Sequence, residues 1–275
     1  MMLSLDRLID QALLEDIHTG DITTKAVVPF RRHATARLIA KECLVVAGLD
    51  VAARVFQRLS PGVEWAGLLA DGTRANAGDL LATVSGDASD LLMGERVALN
   101  LLQRLCGIAT LTSRYVEAVA GTGVRIVDTR KTTPGLRELE KYAVRAGGGI
   151  NHRTGLYDGI LIKENHIAAA GGVTESIRRA RAYIPHTLKI EIETETLAQV
   201  EEALAAGADI IMLDNMSLDE MRRAVALIGG KATIEASGGV NLDTVRAIAE
   251  TGVNIISVGA LTHSPKAMDI SMLLD

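Results

Sequence analysis

Aromatic residues make up only 3% of the 275-residue chain, with one Trp, two Phe and four Tyr. So few flat side chains cannot build the stacking platforms that hold single-stranded nucleic acid. Positive charge is scarce as well: 29 Lys and Arg face 34 Asp and Glu, for a net charge of −5. The chain therefore lacks the basic footprint of a nucleic-acid binder. No apolar run reaches the roughly 18 residues that a membrane span needs. The opening MMLSLDRLIDQALLED carries acids and shows no cleavable signal pattern. Cysteine occurs only at Cys43 and Cys106, each among apolar neighbours. Both are expected to be small buried hydrophobes rather than a disulfide or reactive thiols. These deficits predict a cytoplasmic protein that binds neither nucleic acid nor membrane.

What is present is ordinary in amount, with 48% apolar and 23% charged residues, and enough for a large core. Its arrangement is more informative. Leu3, Leu5, Leu8, Ile9, Ala12 and Leu13 fit one face of an N-terminal helix ending before HTGDITT. ATARLIAKECLVVAG alternates like strands, GLDVAARVFQRL reads as helix, and VEWAGLLADGTRANAGDLLATVSG reads as short strands joined by Asp-Gly and Gly-Asp turns. From Ser89 a long periodic segment reads as helix, with a break near Gly107 allowed. Its Val97, Leu101, Leu105 and Ile108 form a stripe that fits either core or a subunit interface.

The second half repeats. VRIVDT, GILIKE, LKIEIE, DIIMLD, ATIEAS and NIISVG read as strands alternating with helical segments, the last four starting near residues 188, 210, 233 and 255. Such βα units make a parallel sheet covered by helices, and equivalent helices with short turns favour a barrel. Six strands are two fewer than a full eight-stranded barrel has.

The mouth of a parallel barrel lies at the C-terminal strand ends. Those ends carry Arg130 and Lys131, Lys163, Glu193, Asp214, Ser237-Gly238-Gly239 and Gly259. Ser217 with Glu220 makes its own capping box, and Asn241 is placed to cap the next helix. Asp214 and Ser237 are thus not needed as caps. SGGV and SVGAL, in the final two units, suit a phosphate, because glycine lets backbone N–H groups approach an anion. Residues 121–170 hold eight Lys and Arg against five acids, a local +3 in an acidic chain. That excess calls for a local anion, although Arg137, Lys141 and Arg145 fall at helical spacing and include a solvated helix face. The six His residues show no structural zinc spacing. The charge pattern instead fits a phosphorylated substrate with Mg²⁺ held by carboxylates and waters. GGGINHRTG is neither a Walker loop nor a dinucleotide fingerprint.

EDIHTGDITT, GERVALNLLQRLCGIAT, DTRKTTPGLRELEKYAVRAGGGINHRTGLYDGILIKENH, EIETET, IIMLDN, EASGGV and SVGALTHS resemble the quinolinate phosphoribosyltransferases, the carboxylating nicotinate-nucleotide pyrophosphorylases. The match runs from about residue 13 to residue 264, departing at Cys106, where the family usually has Ser. The resemblance implies an N-terminal α/β sandwich over residues 1–110 and an open α/β barrel of six to seven parallel strands over 111–275, the end of the chain being allowed to pack back on the N-terminal domain. It implies transfer of phosphoribosyl from phosphoribosyl pyrophosphate to quinolinate, with loss of pyrophosphate and CO2, and Mg²⁺ as cofactor. Arg130, His152, Arg153 and Lys163 would hold the two pyridine carboxylates, with Thr129 beside them. Lys131 would act at the pyrophosphate. Glu193 and Asp214 would bind the ribose hydroxyls, directly or through Mg²⁺. Ser237, Gly238, Gly239, Ser257, Val258 and Gly259 would cradle the 5′-phosphate, with His263 nearby, and Arg96 would come from the other subunit of a homodimer. Lys131, Glu193 and Asp214 would carry the chemistry. Two alternatives stand beside this reading. A pyrophosphorylase acting on another base would be expected to lose part of DTRK or NHR, and both are intact. A non-catalytic phosphate-binding barrel would gain nothing from two carboxylates beside the anion.

Overall fold

A computed structural model describes residues 4–275. In chain order the elements are α1 (Leu5–Ile17), α2 (Ile22–Val27), β1 (His33–Ala40), β2 (Leu44–Val45), α3 (Leu49–Leu59), β3 (Glu64–Gly67), β4 (Arg74–Ala75), β5 (Leu80–Asp87), α4 (Ala88–Ala118), β6 (Arg125–Val127), α5 (Arg137–Ala146), β7 (Ile160–Ile162), α6 (Glu164–Ala170), α7 (Val173–Tyr183), β8 (Ile190–Thr194), α8 (Leu197–Ala205), β9 (Ile210–Asp214), α9 (Leu218–Ile228), β10 (Thr233–Ser237), α10 (Val245–Ala249), β11 (Ile255–Ser257), α11 (Ala260–His263) and β12 (Ile270–Leu274). Among the described residues no helix is long and apolar enough to cross a membrane.

The chain divides into two compact units. One takes residues up to Ser113, Thr133–Gly148 and Ser264–Asp275; the other takes Arg114–Thr132 and Gly149–His263. The first is built on an antiparallel sheet of order β12-β1-β5-β3. HATARLIA alternates as a half-buried strand should, so Ala34, Ala36, Leu38 and Ala40 face the core. β12 brings the C-terminal segment alongside β1, with Leu274 opposite Ala36. On α1, Leu5, Ile9 and Leu13 are buried; Leu3 lies outside the described residues. Helix α4 runs unbroken through Gly107. A Cβ there would lie 2.0 Å from the Lys266 carbonyl oxygen, so the glycine serves a close backbone approach rather than a break. Val97, Leu105 and Ile108 of its apolar stripe are buried within the chain. Cys106 is buried too, its thiol pushed up to about 12 by desolvation. Cys43 departs from expectation: it is exposed, because it falls in the bend between β1 and β2 and not on a core-facing strand position.

The second unit is a six-stranded parallel sheet of order β6-β11-β10-β9-β8-β7, flanked by helices. This is the α/β architecture expected, with six strands. The register sets Asp214 beside Ser237, so the strand ends lie level. Two details differ from the sequence reading. Two helices, α6 and α7, separate β7 from β8 where one was expected, because Gly171 and Gly172 (φ 94° and 140°) end the first. Asn241 does not cap α10 directly. Its Oδ1 accepts the Asp243 and Thr244 N–H groups in a turn that precedes the helix, whose first residue is Val245.

Candidate active site

The C-terminal strand ends of the second unit surround a cavity of about 580 Å³. Every expected site residue from Thr129 to His263 lines it. Arg96 does not; it lies on α4, with its side chain 57% exposed and 3.7 Å from Glu95.

Buried Asp128, at the end of β6, fixes the first wall. Its carboxylate accepts the Asn151 side-chain amide at 2.6 Å and the His152 backbone N–H at 2.8 Å. DTRK and NHR are thereby tied together although 23 residues separate Asp128 from Asn151. Lys131 is held by its backbone: its N–H donates to Thr129 Oγ1 at 3.0 Å and its carbonyl accepts the Thr262 hydroxyl at 2.8 Å. A Cβ on Gly259 would lie 3.1 Å from Lys131 Cδ and 3.2 Å from His263 Nε2, so the lysine stem lies across the last glycine loop. Arg153 donates to the Gly159 carbonyl at 3.3 Å. Burial, then the charge of Arg130, push its guanidinium below the ordinary value. Two repelling guanidiniums on one wall are relieved when an anion enters between them.

The ends of β8 and β9 bring two acids to the same cavity. Glu193 pairs with Lys163 in a short contact. Asp214 accepts the Asn215 side-chain amide at 2.7 Å. Asn215 takes a left-handed conformation, φ 55°, and donates its N–H to the Ser237 carbonyl at 3.0 Å. Gly238, φ 89°, has no room for a side chain, since a Cβ would lie 2.2 Å from Asn215 Oδ1. The Asp214 and SGGV loops are thus interlocked, which fixes where the glycine amides face.

Below this mouth stand two acids that the sequence reading passed over. Glu191 and Glu235 occupy inward positions one strand period below Glu193 and Ser237, and are 4% and 2% exposed. Burial, followed by the charge of Glu191, pushes the Glu235 carboxyl up to about 7, against the pull of His152. His152 Nε2 lies 3.1 Å from Glu191 and 3.6 Å from Glu235, while its Nδ1 accepts the Arg153 N–H at 2.7 Å. Burial lowers this imidazole and the two carboxylates outweigh it, drawing it above its usual value. A second proton would have to sit on Nδ1, facing that N–H, so the hydrogen bond opposes the pull and keeps the ring proton at Nε2. His152 lines the cavity, with Nε2 facing the two carboxylates and Nδ1 accepting the Arg153 N–H. The available signal was spacing: in EIETE and TIEAS a second acid precedes the strand-end residue by two, the strand period. Among the described residues, only His152, Glu191 and Glu235 form a three-residue cluster with metal-ligand proximity. Glu193 and Asp214 are not brought into one.

Models of the quinolinate phosphoribosyl transferase N-terminal and C-terminal domains match residues 21–106 and 108–273. The chain is 48% identical over 270 residues to a probable nicotinate-nucleotide pyrophosphorylase [carboxylating] of Bacillus subtilis (strain 168), covering 98% of this chain and 93% of that protein. It is 43% identical over 292 residues to the chloroplastic nicotinate-nucleotide pyrophosphorylase [carboxylating] of Arabidopsis thaliana, covering 98% and 83%. A crystal structure of NadC from Streptococcus pyogenes superposes with a TM-score of 0.95 at 47% identity, covering 98% of this chain and 96% of that one. With both halves matched and the cavity built from the residues that carry the family's motifs, the chain belongs to the quinolinate phosphoribosyltransferase family.

Proposed function

We propose that this protein transfers the phosphoribosyl group of phosphoribosyl pyrophosphate to quinolinate, releasing pyrophosphate and CO2 and leaving nicotinate mononucleotide. The observation that carries this reading is that one cavity is lined both by the cations Arg130, Lys131 and Arg153 and by the acids Glu193 and Asp214. Two guanidiniums suit the two carboxylates of quinolinate, because each presents a planar fork. Lys163, paired with Glu193, joins the two sets.

The pyridine nitrogen attacks C1 of the ribose as pyrophosphate departs, and positive charge builds on the sugar. Glu193 and Asp214 stabilise that charge, and Lys131 stabilises the leaving group. The glycine loops around Gly238 and Gly259 hold the 5′-phosphate through backbone N–H groups. No side chain acts as a nucleophile; positioning supplies most of the rate. The hard oxygen donors of Glu193 and Asp214 suit Mg²⁺, which takes one or two carboxylates together with waters and substrate phosphates. When bound, the ion supplies charge neutralisation at the pyrophosphate. Arg96, absent from its own chain's cavity lining and exposed on α4, serves the barrel of a second subunit in a homodimer that works in the cytoplasm.

Competing substrates test the reading. Nicotinate has one carboxylate, so it would leave a buried cation unpaired, which is costly. The expected result is a strong preference for quinolinate in kcat/KM. Comparable values for the two acids would overturn it.

A further inference from the structure

The floor of the cavity holds a group for which binding has no use. Glu235, 2% exposed, projects from the central strand β10 into the cavity wall. Its Oε1 is buried and has no hydrogen-bond partner. The groups around it are Glu191 from β8, His152 from the NHR loop, Met212 from β9 and Ser257 from β11. Arg153 follows His152 on the same loop, and Arg130 shares its wall. Because His152 Nδ1 accepts the Arg153 N–H, the ring's proton lies at Nε2 and is donated to Glu191 at 3.1 Å. Glu191 thus takes the closer contact to the ring, and Glu235 the longer one at 3.6 Å. Two carboxylates side by side in a dry site, sharing one imidazole, disfavour a second charge, and burial followed by Glu191 pushes Glu235 towards the neutral acid against the pull of His152. A dianionic ligand overhead strengthens that preference. An anion-binding cavity gains nothing from a neutral acid in its floor, but a reaction that exchanges a carboxylate for hydrogen needs one.

We infer that Glu235 is the acid that supplies the hydrogen replacing the departing carboxylate on the pyridine ring, with Glu191 and His152 as its positioning residues. This rests on the proposed function above. In the step, the bond from C2 to its carboxylate carbon breaks, and its electron pair stays on C2 beside the positively charged ring nitrogen. CO2 leaves. As that bond breaks, in the same step, the proton of the Glu235 hydroxyl moves to the pair and forms the new C2–H bond. Glu235 is left as a carboxylate, and recovers a proton from solvent once product has gone. The placement also orders the two half-reactions: glycosyl transfer draws on residues at the mouth, and proton delivery on a residue one strand period deeper.

The test is a single turnover with enzyme in excess, using quinolinate labelled in its 2-carboxylate, phosphoribosyl pyrophosphate and Mg²⁺, with pyrophosphate and CO2 measured in the same quenched samples. In Glu235→Gln, pyrophosphate release is expected to stay within about threefold of wild type, whereas CO2 release slows about a hundredfold, the contribution of a positioned general acid. A mononucleotide retaining both carboxylates should accumulate. Glu235→Asp, which keeps an acid, should release CO2 faster than Glu235→Gln. Should the variants fail to fold, wild type decides: the ratio of CO2 to pyrophosphate rates should fall as pH rises from 7 to 9, because the acid form is then lost. Equal slowing of both products, unchanged CO2 release, or a pH-independent ratio would overturn the assignment. So would a stoichiometric metal ion retained by wild type and lost in Glu235→Gln, since the three floor side chains would then be its ligands. If wild type released no pyrophosphate, the proposed function would fall and this inference with it; undelayed CO2 release from Glu235→Gln, with both products formed by wild type, would leave the function standing and sink the inference alone.

Discussion

Lys131 and Arg153 both bring a cation to the same cavity, but their surroundings assign them different work. Lys131 crosses the last glycine loop beside Gly259 and His263, with its backbone pinned by Thr129 and Thr262. Arg153 is half-buried, depressed by that burial and then by the charge of Arg130, and so is poised to receive an anion before any reaction occurs. Removing a charge that matters most as the leaving group departs lowers kcat; removing one that matters equally in ground and transition states raises KM. Lys131→Ala is therefore expected to lower kcat by about 100–1000-fold with quinolinate affinity nearly kept. Arg153→Ala should weaken quinolinate binding by about 10–100-fold, the loss of charge-assisted hydrogen bonds. Calorimetric titration with quinolinate, set beside steady-state kinetics, checks both, and the reverse pattern would exchange the two roles. At this scale the strand-end residues were legible because a charged residue closing an apolar run is conspicuous. Asp128, Glu191 and Glu235 were not singled out. Asp128 acts through Asn151 and His152, a contact that exists only once the NHR loop has folded back. Glu191 and Glu235 sit inside strands, where only their strand-period spacing from Glu193 and Ser237 marked them as facing the same way.

The elements followed from periodicity, with exceptions that share a cause. Each of the six parallel strands is a short apolar run ending in a polar residue or glycine turn, and each formed where its run lies. Gly107 misled because its reason is distant in sequence: the Lys266 carbonyl occupies the space where its side chain would be. Cys43 misled because a bend interrupts the alternation around it. Gly107 gives a test in which two effects oppose. Alanine in a helix interior is favoured over glycine by about 1 kcal/mol. Against that, a Cβ 2.0 Å from a backbone oxygen forces α4 or the Lys266 segment to shift, and overpacking of this kind costs about 1–3 kcal/mol. The clash is with backbone rather than a flexible side chain, so it should win. Gly107→Ala is expected to lower Tm by a few degrees, about 2–4 °C per kcal/mol in a chain of this size. A raised Tm by calorimetry would mean that the Lys266 segment yields freely.

For the whole molecule, the open question in the sequence was whether the α4 stripe is core or interface. Val97, Leu105 and Ile108 are core within one chain, while Leu101 is half-buried; in the proposed homodimer Arg96, exposed on α4, would serve the second copy's site. Mixing Arg96→Ala with Lys131→Ala chains by co-expression tests this. Each variant alone should be nearly inactive. In a two-fold dimer with random pairing about half the dimers are mixed, each with one whole site, so about a quarter of wild-type activity should return. Mixed dimers that stay inactive would remove Arg96 from the shared site. Beneath all of these outcomes lies the claim that one cavity joins quinolinate to phosphoribosyl pyrophosphate. Incubation of the purified protein with both substrates and Mg²⁺, followed by chromatographic identification of products, tests it most directly. The account requires nicotinate mononucleotide, pyrophosphate and CO2 in equal amounts, and protein that left quinolinate unchanged would contradict it.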